Sequence, residues 1–190
     1  MSNIKLITAS ALFDGHDVSI NIFRKLMLKR GAEVIHLGHN RSVREVIQAA
    51  IQEDADAVLI SSYQGGHIEY FKYLVDKFKE LESENILIFG GGGGVILPKE
   101  VKELEEYGVN KIYHATEGQR IGIDGIADDV IDRIKRNIED ETETKEIDFE
   151  LVDLNDQRNI SRCISYLEKS WLDKHKYNYI KEILQQRAKD

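Results

Sequence analysis

The sequence predicts an α/β fold, in which a doubly wound sheet of five parallel strands has the order 2-1-3-4-5 and a helical extension follows. Two observations predict it. Five short apolar segments alternate with amphipathic segments of helical period as far as residue 138, which is the pattern of repeated strand–helix units. The five segments are short apolar runs rather than alternating ones, as expected of strands that helices cover on both faces.

Each strand is predicted from one apolar segment, and these segments lie at residues 4–9, 33–37, 57–60, 86–89 and 111–114. The second strand is expected to close in a turn at Gly38, His39 and Asn40. The predicted strand order is the flavodoxin-like one, in which ligands bind beyond the carboxyl ends of strands one and three, where the order reverses. We therefore expect a binding site at that edge.

The helices are predicted from apolar residues at helical spacing and from their end signals. Ser42 and Glu45 have the spacing of a capping box before the second helix. Pro98 suits the first turn of the fourth helix, and Gly31 and Gly108 are the expected ends of the first and fourth. The predicted inward-facing residues are Val18, Ile22, Leu26 and Met27; Val43, Val46, Ile47, Ala50 and Ile51; Ile68, Phe71, Leu74, Val75, Phe78 and Leu81; Val101 and Leu104; and Ile126, Val130, Ile131, Ile134 and Ile138.

The composition changes near residue 139 and divides the chain into a sheet domain, residues 1–139, and an extension, residues 140–190. Residues 139–146 are nearly all charged and are predicted to form an acidic linker. Two further helices are predicted beyond it, with Ile160, Ile164, Leu167 and Trp171 facing inward in one and Ile180, Ile183 and Leu184 in the other.

Composition also limits the classes of partner. The 190-residue chain has a formal net charge of -8, whereas nucleic-acid-binding proteins show a basic surface, so no nucleic-acid partner is expected. Cys163 is the only cysteine, so an internal disulfide is impossible and a reducing compartment is expected. We find neither a signal peptide nor an apolar segment of membrane-spanning length, and therefore expect a cytoplasmic protein without a membrane partner.

The stretch from Ser10 to Asp17, directly after the first predicted strand, contains residues suited to metal chemistry. A neutral imidazole at His16 is a good ligand for a transition metal, and the carboxylate of Asp14 can accept the proton on its other nitrogen. Gly15 between them is expected to permit a tight turn that presents both side chains on one side. An Asp and a His in such a loop are often only solvated, so the other loops at this edge decide between the two interpretations.

Two of those loops also carry unusual residues. The third strand ends in Ser61, Ser62 and Tyr63, and Gly65 follows. The two serines either simply end the strand or offer a hydroxyl that hydrogen-bonds a ligand nitrogen. The fourth strand runs into a glycine run made of Gly90, Gly91, Gly92, Gly93 and Gly94. This run matches neither a dinucleotide fingerprint nor a Walker A loop. Because five consecutive glycines cost conformational entropy, a slot for a bulky ligand is favoured over a flexible surface loop.

The other histidines give weaker signals. His36 and His39 have no carboxylate or cysteine near them in sequence, so a surface turn is favoured over a second metal site. His67 is predicted to lie at the start of the third helix, while His114 and His175 carry no recognisable signal.

The loop residues resemble the cobalamin-binding domain of coenzyme-dependent acyl-CoA mutases, whose pattern is Asp-x-His-x-x-Gly, then Ser-x-Leu, then Gly-Gly. Three longer strings, Leu-Phe-Asp-Gly-His-Asp, His-Leu-Gly-His-Asn-Arg-Ser and Ser-Ser-Tyr-Gln-Gly-Gly-His, are more specific. They resemble the fused isobutyryl-CoA mutases of that family, in which a GTPase chaperone domain lies between the cobalamin and substrate domains. The resemblance covers residues 4–138.

This resemblance implies that His16 is the lower axial ligand to cobalt, in place of the cofactor's own dimethylbenzimidazole, whose nucleotide tail then lies in the sheet crevice. It also implies that Asp14 supports His16, that Ser61 faces the benzimidazole, and that Gly93 and Gly94 lie along the tail. The full set of implied cofactor-binding residues is Asp14, Gly15, His16, Asp17, Ser61, Ser62, Tyr63, Gly65, Gly91, Gly92, Gly93 and Gly94.

Three positions depart from the family pattern. Ser19 stands in place of the closing glycine, and Tyr63 replaces the leucine of Ser-x-Leu. Ser10 occupies the position at which methylmalonyl-CoA mutases carry a lysine that extends the His-Asp pair. These departures leave metal ligation intact and bear on how His16 is tuned.

The implied cofactor is adenosylcobalamin, and the implied reaction of the whole enzyme is the radical 1,2-rearrangement that interconverts isobutyryl-CoA and n-butyryl-CoA. Its partners would be an acyl-CoA substrate domain and a GTPase chaperone domain, of the same chain or another, with residues 140–190 leading towards the latter. The sequence holds no P-loop and no room for a substrate barrel, so the chain alone is not expected to be active.

Two alternatives stay open at this stage. One is a corrinoid carrier for methyl transfer, although such carriers usually have a helical cap before this domain and the first strand here begins near residue 4. The other is a flavodoxin-like binding module that takes no cobalamin.

Overall fold

The five strands of this computed structural model, which describes residues 4–142, 149, 151–171 and 173–187, form one parallel sheet. They are β1 (Lys5–Ala11), β2 (Glu33–Arg41), β3 (Ala57–Ser61), β4 (Leu87–Gly91) and β5 (Lys111–Tyr113). The helices are α1 (Val18–Lys29), α2 (Val43–Gln52), α3 (His67–Glu80), α4 (Pro98–Tyr107), α5 (Ala115–Thr142), α6 (Gln157–Ser170) and α7 (Lys174–Arg187). The strand order is β2-β1-β3-β4-β5, which confirms the predicted fold class.

The sheet is apolar on both faces because helices cover both. On one face α2, α3 and α4 contribute side chains such as Val46, Phe71 and Leu104 to one buried cluster. On the other face α1 and α5 contribute Met27 and Val130 to a second cluster. Among the described residues, no helix combines the length and the apolar character needed to cross a bilayer.

The predicted helix ends are confirmed where a specific residue makes them. Ser42 and Glu45 form the capping box of α2, and the hydrogen bonds from the Ser42 backbone and hydroxyl lower the pKa of Glu45 to about 2. Pro98 lies in the first turn of α4, and Gly31 and Gly108 follow α1 and α4 with φ angles of 82° and 134°.

The predicted inward face of α1 is partly wrong. Ile20 and Met27 are buried, whereas Val18 and Ile22 are 70% and 41% exposed. Residues 20, 23 and 27 also recur at helical spacing, so periodicity alone offers two stripes and packing against α5 selects one of them. Leu81 is likewise exposed, because α3 ends at the residue before it.

The prediction that the second strand ends in a turn at Gly38, His39 and Asn40 is also wrong. Gly38, with a φ of 86°, forms an irregularity in the pairing of β1 with β2, and β2 then continues to Arg41. An extra residue in one strand interrupts the pairing only locally, and the two strands pair again beyond it, as at a β-bulge. His36 therefore lies in a strand, where its Nδ1 is 2.9 Å from the hydroxyl of Thr8, and not in a surface turn. Burial, assisted by the nearby Arg24, lowers the pKa of His36.

The last helix of the sheet domain is longer than predicted. It begins at Ala115, bends at Gly122, whose φ is 71°, and continues past residue 139 to Thr142. Residues 143–146 of the predicted acidic linker lie outside the described residues. The division at residue 139 stays a prediction.

The C-terminal helices α6 and α7 form a small cluster of their own around Phe149, Cys163 and Ile180. The predicted inner stripe of α6 is wrong for Ile160, Ile164 and Trp171, which are exposed. The buried residues of α6 are Ser161, Cys163, Ser165 and Ser170, and Leu167 of the predicted stripe packs against the cluster. Spacing selects a stripe of helix surface, but the surface on which the helix packs decides whether that stripe is buried.

The helix α6 contacts the sheet domain through two polar residues. The Arg158 guanidinium donates to the carbonyls of Leu81 and Glu82, and to Asn85 Oδ1 at 2.6 Å. The Ser161 hydroxyl donates to the Ile51 carbonyl at 2.6 Å. These acceptors lie at the C-terminal ends of α2 and α3, and therefore at the edge of the sheet where the strands begin.

We predict that Arg158→Ala loosens α6 and α7 without loosening the sheet. Hydrogen bonds to a charged group contribute roughly 1.5–3 kcal/mol, so amide exchange in both helices should speed up by about tenfold or more. Hydrogen–deuterium exchange measures this, with Gln185→Ala on the exposed face of α7 as the control. Unchanged exchange in both variants would contradict a docking role for Arg158.

Candidate functional site

The carboxyl edge of the sheet carries a buried carboxylate that holds an exposed imidazole. Asp14 is fully buried, whereas the side chain of His16 is 67% exposed, and Asp14 Oδ1 lies 2.9 Å from His16 Nδ1. A carboxylate accepts hydrogen bonds, so Nδ1 is the nitrogen that carries the proton. The other nitrogen, Nε2, is thereby left with its lone pair available to a ligand.

Three N–H groups hold the Asp14 carboxylate in place. Besides the imidazole, the backbone N–H of His16 donates to Oδ1 at 2.9 Å and the backbone N–H of Tyr63 donates to Oδ2 at 2.5 Å. The last bond joins the loop after β1 to the loop after β3. Asp14 thus fixes the imidazole and the neighbouring loop together.

The turn that presents His16 is made by residues other than the predicted Gly15. Phe13 has a φ of 64°, and its N–H donates to Asn40 Oδ1 at 2.8 Å. Gly15 is outside the left-handed region and a Cβ on it would meet nothing within 4 Å, so the expectation that the turn needs glycine there is wrong. The Ser10 hydroxyl, near the end of β1, donates to the His16 carbonyl at 3.1 Å and so holds the loop to the strand.

A crevice of about 120 Å³ opens beside this loop, between α1, the ends of β3 and β4, and the start of α5. Ser61 lies in its lining, and the Ser61 hydroxyl oxygen is buried without a hydrogen-bond partner among the described residues. A buried hydroxyl without a partner is costly, so this group suits a ligand that supplies the missing bond. Ser62 is buried beside it, and its N–H donates to the Gly91 carbonyl at 2.8 Å.

Close packing against other elements explains three of the five glycines in the run. A Cβ on Gly90 would lie 2.4 Å from Phe71, and one on Gly92 would lie 1.9 Å from the Ser62 carbonyl oxygen. Gly93 has a φ of 58°, and its Cβ would lie 2.9 Å from the ring of Tyr63. A flexible surface loop needs no such approaches, so the structure favours a shaped wall.

The segment that follows the glycine run is held by Glu100, in the first turn of α4. Its carboxylate accepts from the Leu97 N–H at 2.7 Å and lies 3.0 Å from Nε2 of the buried His67. The Leu97 and His67 bonds lower the pKa of Glu100. His67 begins α3, as predicted, and serves here to join α3 to α4.

The structure brings some predicted site residues together and leaves others apart. Ser61, Tyr63, Gly91, Gly92 and Gly93 line the crevice, while Asp14 and His16 stand at the loop beside it. Besides Asp14 and His16, the predicted site residues that do not line it are Gly15, Asp17, Ser62, Gly65 and Gly94. Asp17 is the residue before α1, and its side chain makes no capping hydrogen bond.

Sequence reasoning missed the part of the crevice that α1 and the end of β5 supply. Phe23, Tyr113, His114, Ala115 and Gly118 line it, and burial raises the pKa of Tyr113, whose hydroxyl donates to Asp129. The only available signal was that the end of the fifth strand shares this edge. Within the described ranges, no group of three His, Cys, Asp or Glu side chains could hold a bare metal ion.

The chain is similar in sequence to known proteins. The model of the B12 binding domain family matches residues 4–118. The chain is 47% identical over 172 residues to a fused isobutyryl-CoA mutase of Cupriavidus metallidurans, covering 90% of this chain and 16% of that protein. It is 60% identical over 130 residues to a fused isobutyryl-CoA mutase of Paraburkholderia xenovorans, covering 68% of this chain and 10% of that protein. The chain therefore spans less than a fifth of the length of these two relatives.

A solved structure shares the fold. A cobalamin-binding protein from Desulfitobacterium hafniense superposes with a TM-score of 0.52 at 22% identity, covering 63% of this chain and 57% of that one. At that level of identity the likeness bears on the fold alone.

We predict that Gly92→Ala destabilises the protein and that Gly94→Ala does not. The new methyl of Gly92→Ala would overlap the Ser62 carbonyl, whereas a Cβ on Gly94 meets nothing within 4 Å. Overpacking of this kind costs about 1–3 kcal/mol, against about 0.5 kcal/mol or less for an unhindered surface change. Chemical denaturation measures both, and equal stabilities would contradict the close approach.

Proposed function

Because this chain belongs to the B12 binding domain family, we propose that it holds cobalamin base-off, with His16 as the protein ligand to cobalt. The observation that carries this proposal is the Asp14–His16 pair. A fully buried carboxylate fixes Nδ1 of an exposed imidazole, so Nε2 is presented in one orientation. A metal that is already held in a corrin ring requires only one such protein ligand.

The residues of the crevice fit the rest of that cofactor. The unpartnered Ser61 hydroxyl is suited to a ring nitrogen of the displaced dimethylbenzimidazole. The glycine wall offers backbone without side chains, against which the nucleotide tail can lie. The chain's own contribution is thus to ligate, to orient and to enclose, whereas the adenosyl form of the cofactor supplies a radical through homolysis of its cobalt–carbon bond.

We further propose that the chain is the cofactor domain of an adenosylcobalamin-dependent acyl-CoA mutase of the fused isobutyryl-CoA type. The names of the two relatives and the three longer sequence strings support this assignment. The interconversion of isobutyryl-CoA and n-butyryl-CoA, a GTPase chaperone partner, an acyl-CoA substrate domain and a cytoplasmic location are parts of the same proposal. Residues 140–190 would then lead towards the GTPase domain.

We predict that His16→Ala removes a nitrogen ligand from cobalt while the sheet stays folded, because the side chain lies in an exposed loop. Electron paramagnetic resonance of bound cob(II)alamin detects this ligand, and labelling the protein with the heavy nitrogen isotope should change the coupling pattern only if the nitrogen is the protein's. His175→Ala, an exposed histidine on α7, is the matched control.

The same measurement separates the alternatives. An unchanged coupling pattern in His16→Ala would refute ligation by His16. A chain that takes up flavin and leaves cobalamin unbound would be the binding module without cobalamin. Exchange of a methyl group from bound methylcobalamin with a partner protein would instead favour the corrinoid carrier.

We predict that Asp14→Ala weakens the cobalt–imidazole bond without abolishing it. Loss of a residue that orients a metal ligand typically costs about 10–100-fold in metal affinity or activity. Equilibrium titration with adenosylcobalamin, followed by its visible spectrum, measures the change. Because Asp14 also holds Tyr63, circular dichroism should establish that the variant is folded. An affinity equal to that of the wild type would argue against the supporting role of Asp14.

A further inference from the structure

The side chain of Tyr63 joins two walls of the crevice. On one side its hydroxyl lies 2.7 Å from the Ser19 hydroxyl, at the start of α1. On the other side its ring lies against Gly93, where an added Cβ would come within 2.9 Å of it. Ser19, Tyr63 and Gly93 all belong to the crevice lining, so one side chain bridges two of its walls.

Tyr63 lines the crevice but does not supply the hydrogen bond that the Ser61 hydroxyl lacks. The Ser61 hydroxyl in the lining keeps its unpartnered oxygen although the tyrosine hydroxyl is nearby in the same crevice, bonded to Ser19 instead. The volume left is about 120 Å³, whereas sites for drug-sized ligands and cofactors typically run to roughly 300–1,000 Å³. A nucleotide tail therefore needs more room than the crevice offers with Tyr63 in this position.

The backbone of Tyr63 is held by hydrogen bonds that its side chain does not share, because the side chain contacts Ser19, Gly93 and the His16 ring, whose centroid lies 5.6 Å from that of Tyr63. Its N–H is bonded to the buried Asp14 carboxylate, and the N–H of Ser62 is bonded to Gly91 in the next strand. The tyrosine ring itself is only half-buried, with solvent on its outer side. Opening the crevice therefore requires rotation of one side chain and no movement of the loop that holds Asp14.

From this geometry we infer that Tyr63 and Ser19 form a latch over the crevice, which must open before the nucleotide tail of cobalamin can enter. The inference rests on the proposed function, because the tail is the ligand that it admits. The latch also explains why two departures from the family pattern occur together, since glycine and leucine at these positions could not make this hydrogen bond. Tyr63 acts on access to the crevice and is not a ligand of the metal.

The test is the rate at which the cofactor-free protein binds adenosylcobalamin. A neutral hydrogen bond contributes about 0.5–1.5 kcal/mol, so Tyr63→Phe and Ser19→Ala should each raise the association rate constant by about 2- to 12-fold. Because both variants lose the same bond, the double variant should be no faster than the faster single one. Stopped-flow absorbance of the base-off change measures the rates, and Tyr73→Phe, an exposed tyrosine on α3, is the control.

A merely structural role for Tyr63 gives a different result. Both a latch and a structural contact predict a lower free energy of unfolding for the cofactor-free Tyr63→Phe variant, but only a latch couples that loss to faster association. Association that is unchanged or slower in Tyr63→Phe, or fully additive effects in the double variant, would overturn the latch while base-off binding by the wild type stands. A wild-type chain that shows no base-off binding would instead refute the proposed function.

Discussion

The burial of one carboxylate is the constraint on which the candidate site depends. Asp14 has no exposed surface, and an ionised carboxylate is strongly destabilised in such a place unless hydrogen bonds compensate for lost water. Three N–H groups provide that compensation, and they come from the His16 backbone, the His16 ring and the Tyr63 backbone. Satisfying Asp14 therefore orients the imidazole and joins two loops in the same set of contacts.

A second constraint is the close approach of backbones at the ends of β3 and β4. The Ser62 N–H bonds to Gly91, and the Ser62 carbonyl lies where a side chain on Gly92 would have to be. Such packing leaves a wall without side chains and makes glycine a requirement of the fold itself. The same residues therefore serve stability and leave space for a ligand, and this double role accounts for a glycine run that conformational entropy alone would disfavour.

The two edges of the sheet carry different tasks. At the carboxyl edge lie the imidazole, the crevice and the Tyr63 side chain across it. At the amino edge α6 rests on the ends of α2 and α3 through Arg158 and Ser161. Because the C-terminal helices dock at the far edge, they do not cover His16 or the crevice.

The sequence by itself determined the features that depend on neighbours along the chain. The succession of strands and helices follows from apolar segments between amphipathic ones, and the pairing of Asp14 with His16 follows from their separation by one residue. The capping box at Ser42 is equally local. Each depends on a backbone period or a short loop, which a pattern of residues specifies directly.

Only the tertiary structure decided the features that join distant parts of the chain. Ser19 and Tyr63 are 44 residues apart, and nothing local to either indicates that their hydroxyls meet. The buried stripes of α1 and α6 were ambiguous for the same reason, since a helical period offers several stripes and the packed partner selects one. The glycines at positions 90 and 92 could be found as a run, but the Phe71 ring and the Ser62 carbonyl that require them come from other elements. Periodicity specifies whether a segment is a helix or a strand, whereas contacts between elements decide which of its side chains are buried and which meet at the site.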